Sequence, residues 1–552
     1  MSPARRWVVA ASLAVLAARP APGRVDDTLE AASRLAALAK TWGLLKYFHP
    51  DVARGTVDWD AALLDAIPRV AAAESKKDFN DEVMRLIRAA GPPPRGLAAA
   101  PGDRPEGDPA FRWIDDEQLF DRSTVAALKE IRQADVPATN RYVKPAPSGN
   151  PDFGGEAAYD APAYPGREMR LLALFRFWNM VQYFYPNRDL TDRRWPDVLA
   201  ELIPRFIDAS NATEYHLAAS ELTASINDTH AVTSSAVLSS YWGPNEPPIR
   251  TRFIEQQPVV TAVFERLAGG ADVRPGDVIT HIDGVEAGER RAAARRYVWG
   301  SNEGAVERNI NSLVLRTSSS TIALGVSRFG VQKTVTMGAV PLTTVSAEET
   351  AAAAARPKWK TLPGNVGYVD MGLLEQADVP SMMAELRGTR AIVFDVRNYP
   401  RGTMYLIAQQ LNPGPREFAR LQQPRYDAPG TLLWKPAMTV GPPTPTGTYY
   451  AGRVVLLGDE RTQSHAEFTM LALRTAPDVI VVGTATAGAD GDVSRIALPG
   501  GIRTLFSGLS VFYPDGRPTQ RVGIVPDVVV APTIAGVQRG VDEVLERALT
   551  LL

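Results

Sequence analysis

Ser464 and His465 stand side by side in "GDERTQSHAEFTML", residues 458–471, between an apolar run and a helical pattern. A serine hydroxyl attacks a carbonyl when a base takes its proton and donors receive the oxyanion. A strand-to-helix junction supplies the second requirement, because the first amides of a helix are unpaired and its positive end lies there. The same junction also suits a capping serine whose oxygen accepts one of those amides. Spacing leaves both readings open. His465 is a poor base for Ser464, since successive helical residues point about 100° apart. Its backbone N–H matters more than its ring.

The other histidines are then the candidates for a base. The chain has five histidines and no cysteine, so thiol chemistry, cysteine metal sites and disulfides are excluded. His216, in "ATEYHLAASEL", sits inside a helical pattern. His281, in "VITHIDG", reads as a solvated strand residue. His49, in "YFHP", aligns with Tyr185 in "YFYP", so that position accepts either ring and reads as structural. His230, in "INDTHAV", follows a helical segment and is read either as a satisfied core histidine or as the base.

The His49–Tyr185 match belongs to an internal duplication. At a constant offset of 136 residues Trp42 matches Trp178, Tyr47 matches Tyr183, Pro50 matches Pro186, Trp59 matches Trp195, and Ile67-Pro68-Arg69 matches Ile203-Pro204-Arg205. Each copy reads as a helix ended near its proline, a polar loop and a second helix. The aromatic residues at these spacings are read as core. The second copy runs on into "INDTHAV", whereas the first dissolves into the Pro/Gly-rich "GPPPRGLAAAPGDRPEGDP". From about Pro258 short strands take over, including "DVITHIDG", and beyond the alanine-rich "SAEETAAAAARPKW" apolar strands such as "RAIVFDVRN", "RVVLLGD" and "DVIVVG" alternate with helical patterns. That alternation predicts an α/β domain with a largely parallel sheet.

Two resemblances follow from these motifs. The segment "RPGDVITHIDG" resembles a PDZ domain of the bacterial protease-associated type, which captures an extended peptide as an added strand. The order "DTH", PDZ-like insert, "VGYVDM", "FDVRN", serine before a helix, "VVGTATAG" and "VGIVPDV" resembles the tail-specific and tricorn-like serine peptidases over roughly residues 165–550. The resemblance implies a multidomain α/β protein: a crotonase-like α/β protease core, a PDZ-like β-rich insert and the duplicated N-terminal helical hairpins. It implies Ser464 as nucleophile and an oxyanion hole from the His465 N–H and Gly402 of "YPRGT". Tail-specific members carry a lysine base in the segment that reads Ala489 here, and no lysine follows Lys435. The tricorn-like branch instead takes a histidine from before the insert, the place of His230, with Thr229 as hydroxyl helper. Its orienting glutamate reads Gln520 here, with Asp228, Glu467 and Asp490 as acidic substitutes.

The implied function is an exported serine-type endopeptidase acting on a polypeptide substrate, with no metal and no cofactor. The alternative is a peptide-binding scaffold that keeps the fold without the chemistry, motivated by Gln520 and the altered "NYPRGT" loop. A hydrolase of non-peptide acyl groups is weaker still, since no GxSxG elbow is present. The balance of 60 basic and 62 acidic residues argues against nucleic acid or an anionic membrane as the main partner. "MSPARRWVVAASLAVLAARPAPG" reads as a secretory leader, residues 1–24, placing the mature chain in the periplasm or outside, without an integral membrane span. The expected domains are then 25–145, a helical module; 165–240, the second copy leading to His230; 250–345, PDZ-like; and 355–552, catalytic. For the first copy, restricting access to the catalytic domain is preferred over supporting the fold.

Overall fold

A computed structural model describes residues 22–92, 109–134, 136–137, 140–445 and 449–552, with side chains described from residue 31, Pro109 excepted. The expected leader lies mostly outside the described residues, and residues 22–24 already belong to the first helix. Among the described residues no helix is long and apolar enough to cross a membrane.

The duplication is visible in three dimensions. In the first copy α1 (Pro22–Phe48) packs on α2 (Trp59–Ala71), and in the second α3 (Arg167–Phe184) packs on α4 (Trp195–Asp208). Trp42 Nε1 donates to the Trp59 carbonyl at 2.9 Å and Trp59 Nε1 to the Trp42 carbonyl at 3.0 Å. Trp178 and Trp195 repeat the exchange at 3.0 and 3.1 Å. A buried indole needs an acceptor, and these reciprocal bonds satisfy both rings of each pair. The position that reads His49 or Tyr185 is a tether in both copies: His49 Nε2 lies 3.2 Å from the Pro92 carbonyl, and Tyr185 Oη donates to the Ile226 carbonyl at 3.5 Å.

The two copies also pack on each other. α3 is buried all round from Arg170 to Phe184, as expected of a helix with apolar residues on every side. Tyr47 meets its own counterpart Tyr183 with ring centroids 5.6 Å apart. A buried charge cluster joins the copies to the segment between them: Lys46 pairs with Glu156 at 2.7 Å, and Arg176 pairs with Asp60 at 2.6 Å. One hydrophobic core runs from Ala32 through both copies. The first copy thus forms a wall of the core that carries the second, which favours fold support over the preferred access role.

α5 (Ala212–Ala224), capped by the Asn211 side chain, leads to the Asp228-Thr229-His230 turn. Asn227 reverses the chain there with φ 51°, a left-handed conformation that asparagine tolerates. The insert follows as an antiparallel sheet in the order β1 (Ile249–Ile254), β2 (Gln257–Val263), β3 (Val278–Ile282), β4 (Thr321–Arg328), β5 (Val331–Gly338). It carries α6 (Ala287–Arg295) and α7 (Glu303–Val314).

The last domain is built on β6 (Trp359–Leu362), β7 (Val366–Asp370), β8 (Ala391–Asp395), β9 (Arg453–Gly458) and β10 (Val479–Gly483), in that spatial order. β6 is antiparallel to β7; the other pairs are parallel. The central strand "AIVFD" is buried throughout, as a strand covered on both faces must be. A hairpin of β11 (Val493–Leu498) and β12 (Ile502–Ser507) leaves this domain, and its Ile496, Leu498, Ile502 and Phe506 enter the core of the helical repeats. The sheet is completed by Val528–Val529 beside β10.

Candidate active site

Loops from the carboxyl ends of β8, β9 and β10, neighbours in the sheet, converge at one edge, where open parallel sheets place their ligands. After β9 the chain makes a tight turn: Thr462 N–H donates to the Asp459 carbonyl, and Thr462 Oγ1 reaches the Val396 carbonyl in the loop after β8 at 2.8 Å. Two residues on, Ser464 takes φ 58° and ψ −127° at the N-terminus of α8 (His465–Leu473). A positive φ is strained for a residue with a Cβ and persists only where surroundings impose it. Here the Ser464 N–H donates to the Ala489 carbonyl at 2.8 Å, and its side chain makes no capping bond. Strain without capping sets this serine apart from an ordinary N-cap residue.

Ala489, the position of the absent lysine, lies in the loop after β10. That loop is gripped by Glu467, which is fully buried and accepts the Gly488 and Ala489 amides at 2.9 Å each, together with the Thr486 hydroxyl. Burial lifts the Glu467 carboxyl to about 7 against the pull of these donors and of the Ser464 amide. Asp490 is buried beside it; burial, with the charge of Glu467, pushes its carboxyl well above the usual range. Neither acid hydrogen-bonds to a histidine ring.

His230 arrives at the same place from the helical repeats. Thr229 Oγ1 donates to the Ala487 carbonyl at 2.9 Å and accepts the Ser301 N–H at 2.8 Å. The Ala487 N–H in turn donates to the Thr462 carbonyl at 2.9 Å. Two of these bonds, through Ala487, tie the base candidate's neighbour to the turn that carries Ser464, and the third ties it to Ser301 before α7. The His230 ring is 8% exposed, and burial holds its imidazole below the ordinary 6.5 despite the nearby Asp228. Nδ1 lies 2.8 Å from Ser507 Oγ at the end of β12. Ser507 Oγ donates to Asp228 Oδ1 at 2.9 Å, and the two peptide N–H groups of Ser507 and His230 also donate to that carboxylate. No hydrogen bond joins Ser464 Oγ to the His230 ring.

Gln520 is placed differently from the expectation. Its Nε2 donates to Ser301 Oγ at 3.3 Å and to Tyr185 Oη at 3.4 Å, and it makes no bond to the His230 ring. Of the acidic substitutes, Asp228 is the one held against the imidazole, 3.8 Å from Nδ1. The His465 ring packs near Tyr399, centroids 6.2 Å apart, and makes no bond to Ser464. The His465 N–H, at the start of α8, enters no backbone hydrogen bond among the described residues. Gly402 has φ 71°, and its carbonyl accepts from Gln376 Nε2 at 3.1 Å. His216 is tied to Ser235 Oγ at 2.7 Å and the Ala163 carbonyl at 2.8 Å, and His281 is exposed on β3.

Sequence reasoning missed Ser507, a lone serine in "TLFSG" with no motif around it. It also missed the tie from the insert. Arg252 of β1 chelates Glu460 at 2.8 Å and reaches Asp459 at 3.1 Å, while Arg308 of α7 donates to the Glu460 carbonyl at 2.9 Å and to Gln463 Oε1 at 2.8 Å. Asp459 is buried, but Arg461 and Arg252 bring its carboxyl down to about 2.

Residues 365–530 match the family described as Peptidase family S41. Among solved structures, mature CPAF complexed with lactacystin matches at 14% identity over 70% of this chain and 98% of its own, with a TM-score of 0.52. A single-site mutant of CPAF matches at 14% identity over 69% and 96%, with a TM-score of 0.54. The photosystem II D1 C-terminal processing protease matches at 15% identity over 67% and 96%, with a TM-score of 0.39. At these identities the likeness to CPAF is one of fold. No curated protein matches.

Proposed function

We propose that the chain, whose residues 365–530 match Peptidase family S41, is a serine-type peptidase of the tail-specific and tricorn-like kind, an exported endopeptidase in which Ser464 is the nucleophile and His230 the base. The observation that carries this reading is the strained, uncapped Ser464 at the start of α8, with the His230 turn bonded through Ala487 to the same loop.

In the proposed reaction His230 Nε2 takes the Ser464 proton as Oγ attacks a peptide carbonyl. The His465 and Gly402 N–H groups receive the oxyanion, helped by the positive end of α8. Collapse expels the amine, which takes the proton from His230, and water then attacks the acyl-enzyme with His230 again as base. Thr229 fixes the base segment through Ser301 and Ala487. Gln520 supports Ser301 from behind. The unbonded Ser464 and His230 are in keeping with a site that tightens on substrate, as unliganded catalytic hydrogen bonds are often long.

The catalytic domain is read as crotonase-like and the insert as PDZ-like. β1 is an edge strand of the insert and faces a cleft of about 480 Å3 lined by Phe253, Arg308, Glu460, Arg461 and Thr484. An extended polypeptide added to that edge would lie next to the loop that carries Ser464. The leader-like residues 1–24 support export to the periplasm or beyond.

Fluorophosphonate labelling of the purified chain tests the reading. Wild type reacts, Ser464→Ala does not, and His230→Ala slows the reaction by about 10²–10⁴-fold, the span of general-base catalysis. Labelling that persists in Ser464→Ala removes Ser464 from the nucleophile role. A folded wild type that never labels favours the peptide-binding scaffold instead.

A further inference from the structure

We propose that Ser507 is the positioning residue of the base, relaying the Asp228 carboxylate to His230 Nδ1 through its hydroxyl and so fixing the imidazole tautomer. This inference rests on the reading of His230 as base and specifies which atoms make it one.

A serine hydroxyl has one proton to give and lone pairs to receive. Asp228, as a carboxylate, can only accept, and it takes the Ser507 hydroxyl at 2.9 Å. The Ser507 proton is thereby spent, so the 2.8 Å contact to His230 Nδ1 is satisfied only if Nδ1 carries hydrogen and donates. A neutral imidazole protonated on Nδ1 has a bare Nε2, the state a general base needs.

Every other bond around Asp228 agrees with this polarity. Its Oδ1 also accepts the His230 N–H at 3.0 Å, and its Oδ2 accepts the Ser507 N–H at 2.6 Å. The carboxylate is wholly buried and surrounded by donors, so it has no reason to rotate and release the hydroxyl. Once His230 takes a proton, the imidazolium finds an acceptor at Nδ1 and a carboxylate 3.8 Å away. Gln520 has no part in this, because its amide is engaged with Ser301 and Tyr185.

The fold makes the relay rigid. Ser507 ends β12, whose Phe506 is buried in the core of the helical repeats and packs on Tyr185 with centroids 5.2 Å apart. Tyr185 in turn tethers the Ile226 carbonyl just before Asp228. Acid, hydroxyl and base are thus held by one core although Ser507 and His230 lie 277 residues apart in sequence.

Two measurements on the full chain test the relay. In protein labelled with 15N-histidine, the five histidines are resolved by long-range 15N–1H correlation and His230 is assigned with His230→Asn; the expected pattern is protonated Nδ1 and bare Nε2. The second is the pH dependence of fluorophosphonate labelling, where Asp228, Arg308 and the exposed Asp492 are the charged groups facing the ring. Ser507→Ala slows labelling by on the order of tenfold, less than the ~10²–10⁴ of a whole general base, and moves the ascending limb to lower pH because the imidazolium loses its acceptor. Ser507→Thr, which keeps the hydroxyl, restores both rate and limb. The relay is overturned if His230 carries its proton on Nε2, if Ser507→Ala labels as fast as wild type with the same limb, or if Ser507→Thr is no better than Ser507→Ala. If Ser507→Ala does not melt cooperatively, the wild-type tautomer decides. Labelling that survives in Ser464→Ala strikes the nucleophile assignment; a wrong tautomer with Ser464→Ala silent strikes only the relay.

Discussion

Gly43 of α1 and Asn179 of α3 occupy the same position of the repeat, and they meet each other across the interface between the two copies. A Cβ on Gly43 would lie 1.8 Å from Asn179 Oδ1. Asn179 cannot withdraw cheaply, because its Nδ2 donates to the Ala39 carbonyl at 3.0 Å and the Phe175 carbonyl at 2.8 Å. Two sequence-equivalent residues in contact mean that the copies are related by a local two-fold, as in an isologous dimer fused into one chain. Gly43→Ala is expected to destabilise the protein by about 1–3 kcal/mol through overpacking, read as a fall in the denaturant midpoint. A midpoint equal to wild type would show that this interface yields.

The shared core also decides what removal of the first copy does. Deleting residues 25–145 exposes Tyr183 and Phe184 and removes Lys46 and Asp60 from the buried charge cluster. The expected outcome is loss of cooperative melting together with loss of Ser464 labelling. A truncated chain that melts cooperatively and accepts a wider range of polypeptides would instead mean that the first copy restricts access.

Glu467 gives the stability a pH dependence with a definite sign. Its folded carboxyl titrates near 7 rather than near 4.5. Between those values the folded state binds the proton that the unfolded state has lost, so stability falls as pH rises from about 4.5 to 7 and is level with respect to this group above that. Glu467→Gln removes this dependence: its melting temperature, relative to wild type, climbs over the same window. A difference that stays flat from pH 4 to 8 would contradict the assignment.

Arg252 carries the contact between the insert and the turn before Ser464. Arg252→Ala leaves Asp459 with Arg461 and leaves Glu460 without its bidentate partner. Such charge-assisted pairs are worth about 1.5–3 kcal/mol when partly buried. Faster amide exchange is expected in residues 459–464 and β1, and slower probe labelling with it. Unchanged exchange in both segments would show that Arg308 holds the turn alone.

Much of this was legible in the sequence wherever the signal is local or periodic. The duplication follows from a constant offset, and its reciprocal tryptophan bonds then appear in both copies. The junction of an apolar strand with a helix located Ser464, because a parallel sheet presents its loops at the strand ends. The family motifs identified the peptidase segment matched over residues 365–530. The absence of a lysine after Lys435 leaves histidine as the candidate base.

What tertiary structure alone decided is which distant groups share one core. Ser507 has no motif because its role comes from meeting residues 277 and 279 positions away, and a single serine at a strand end has no local pattern. Gln520 holds the place of the orienting group in a signature, but its side chain faces Ser301 and Tyr185. The repeat identified two similar hairpins without saying that Gly43 would face Asn179, since self-complementarity depends on which faces are buried. Spacing along the chain fixes helices, strands and the loops between them. The partners of a buried hydroxyl or carboxylate are fixed by the requirement that every polar group taken from water find one, and that requirement is met only in the assembled fold.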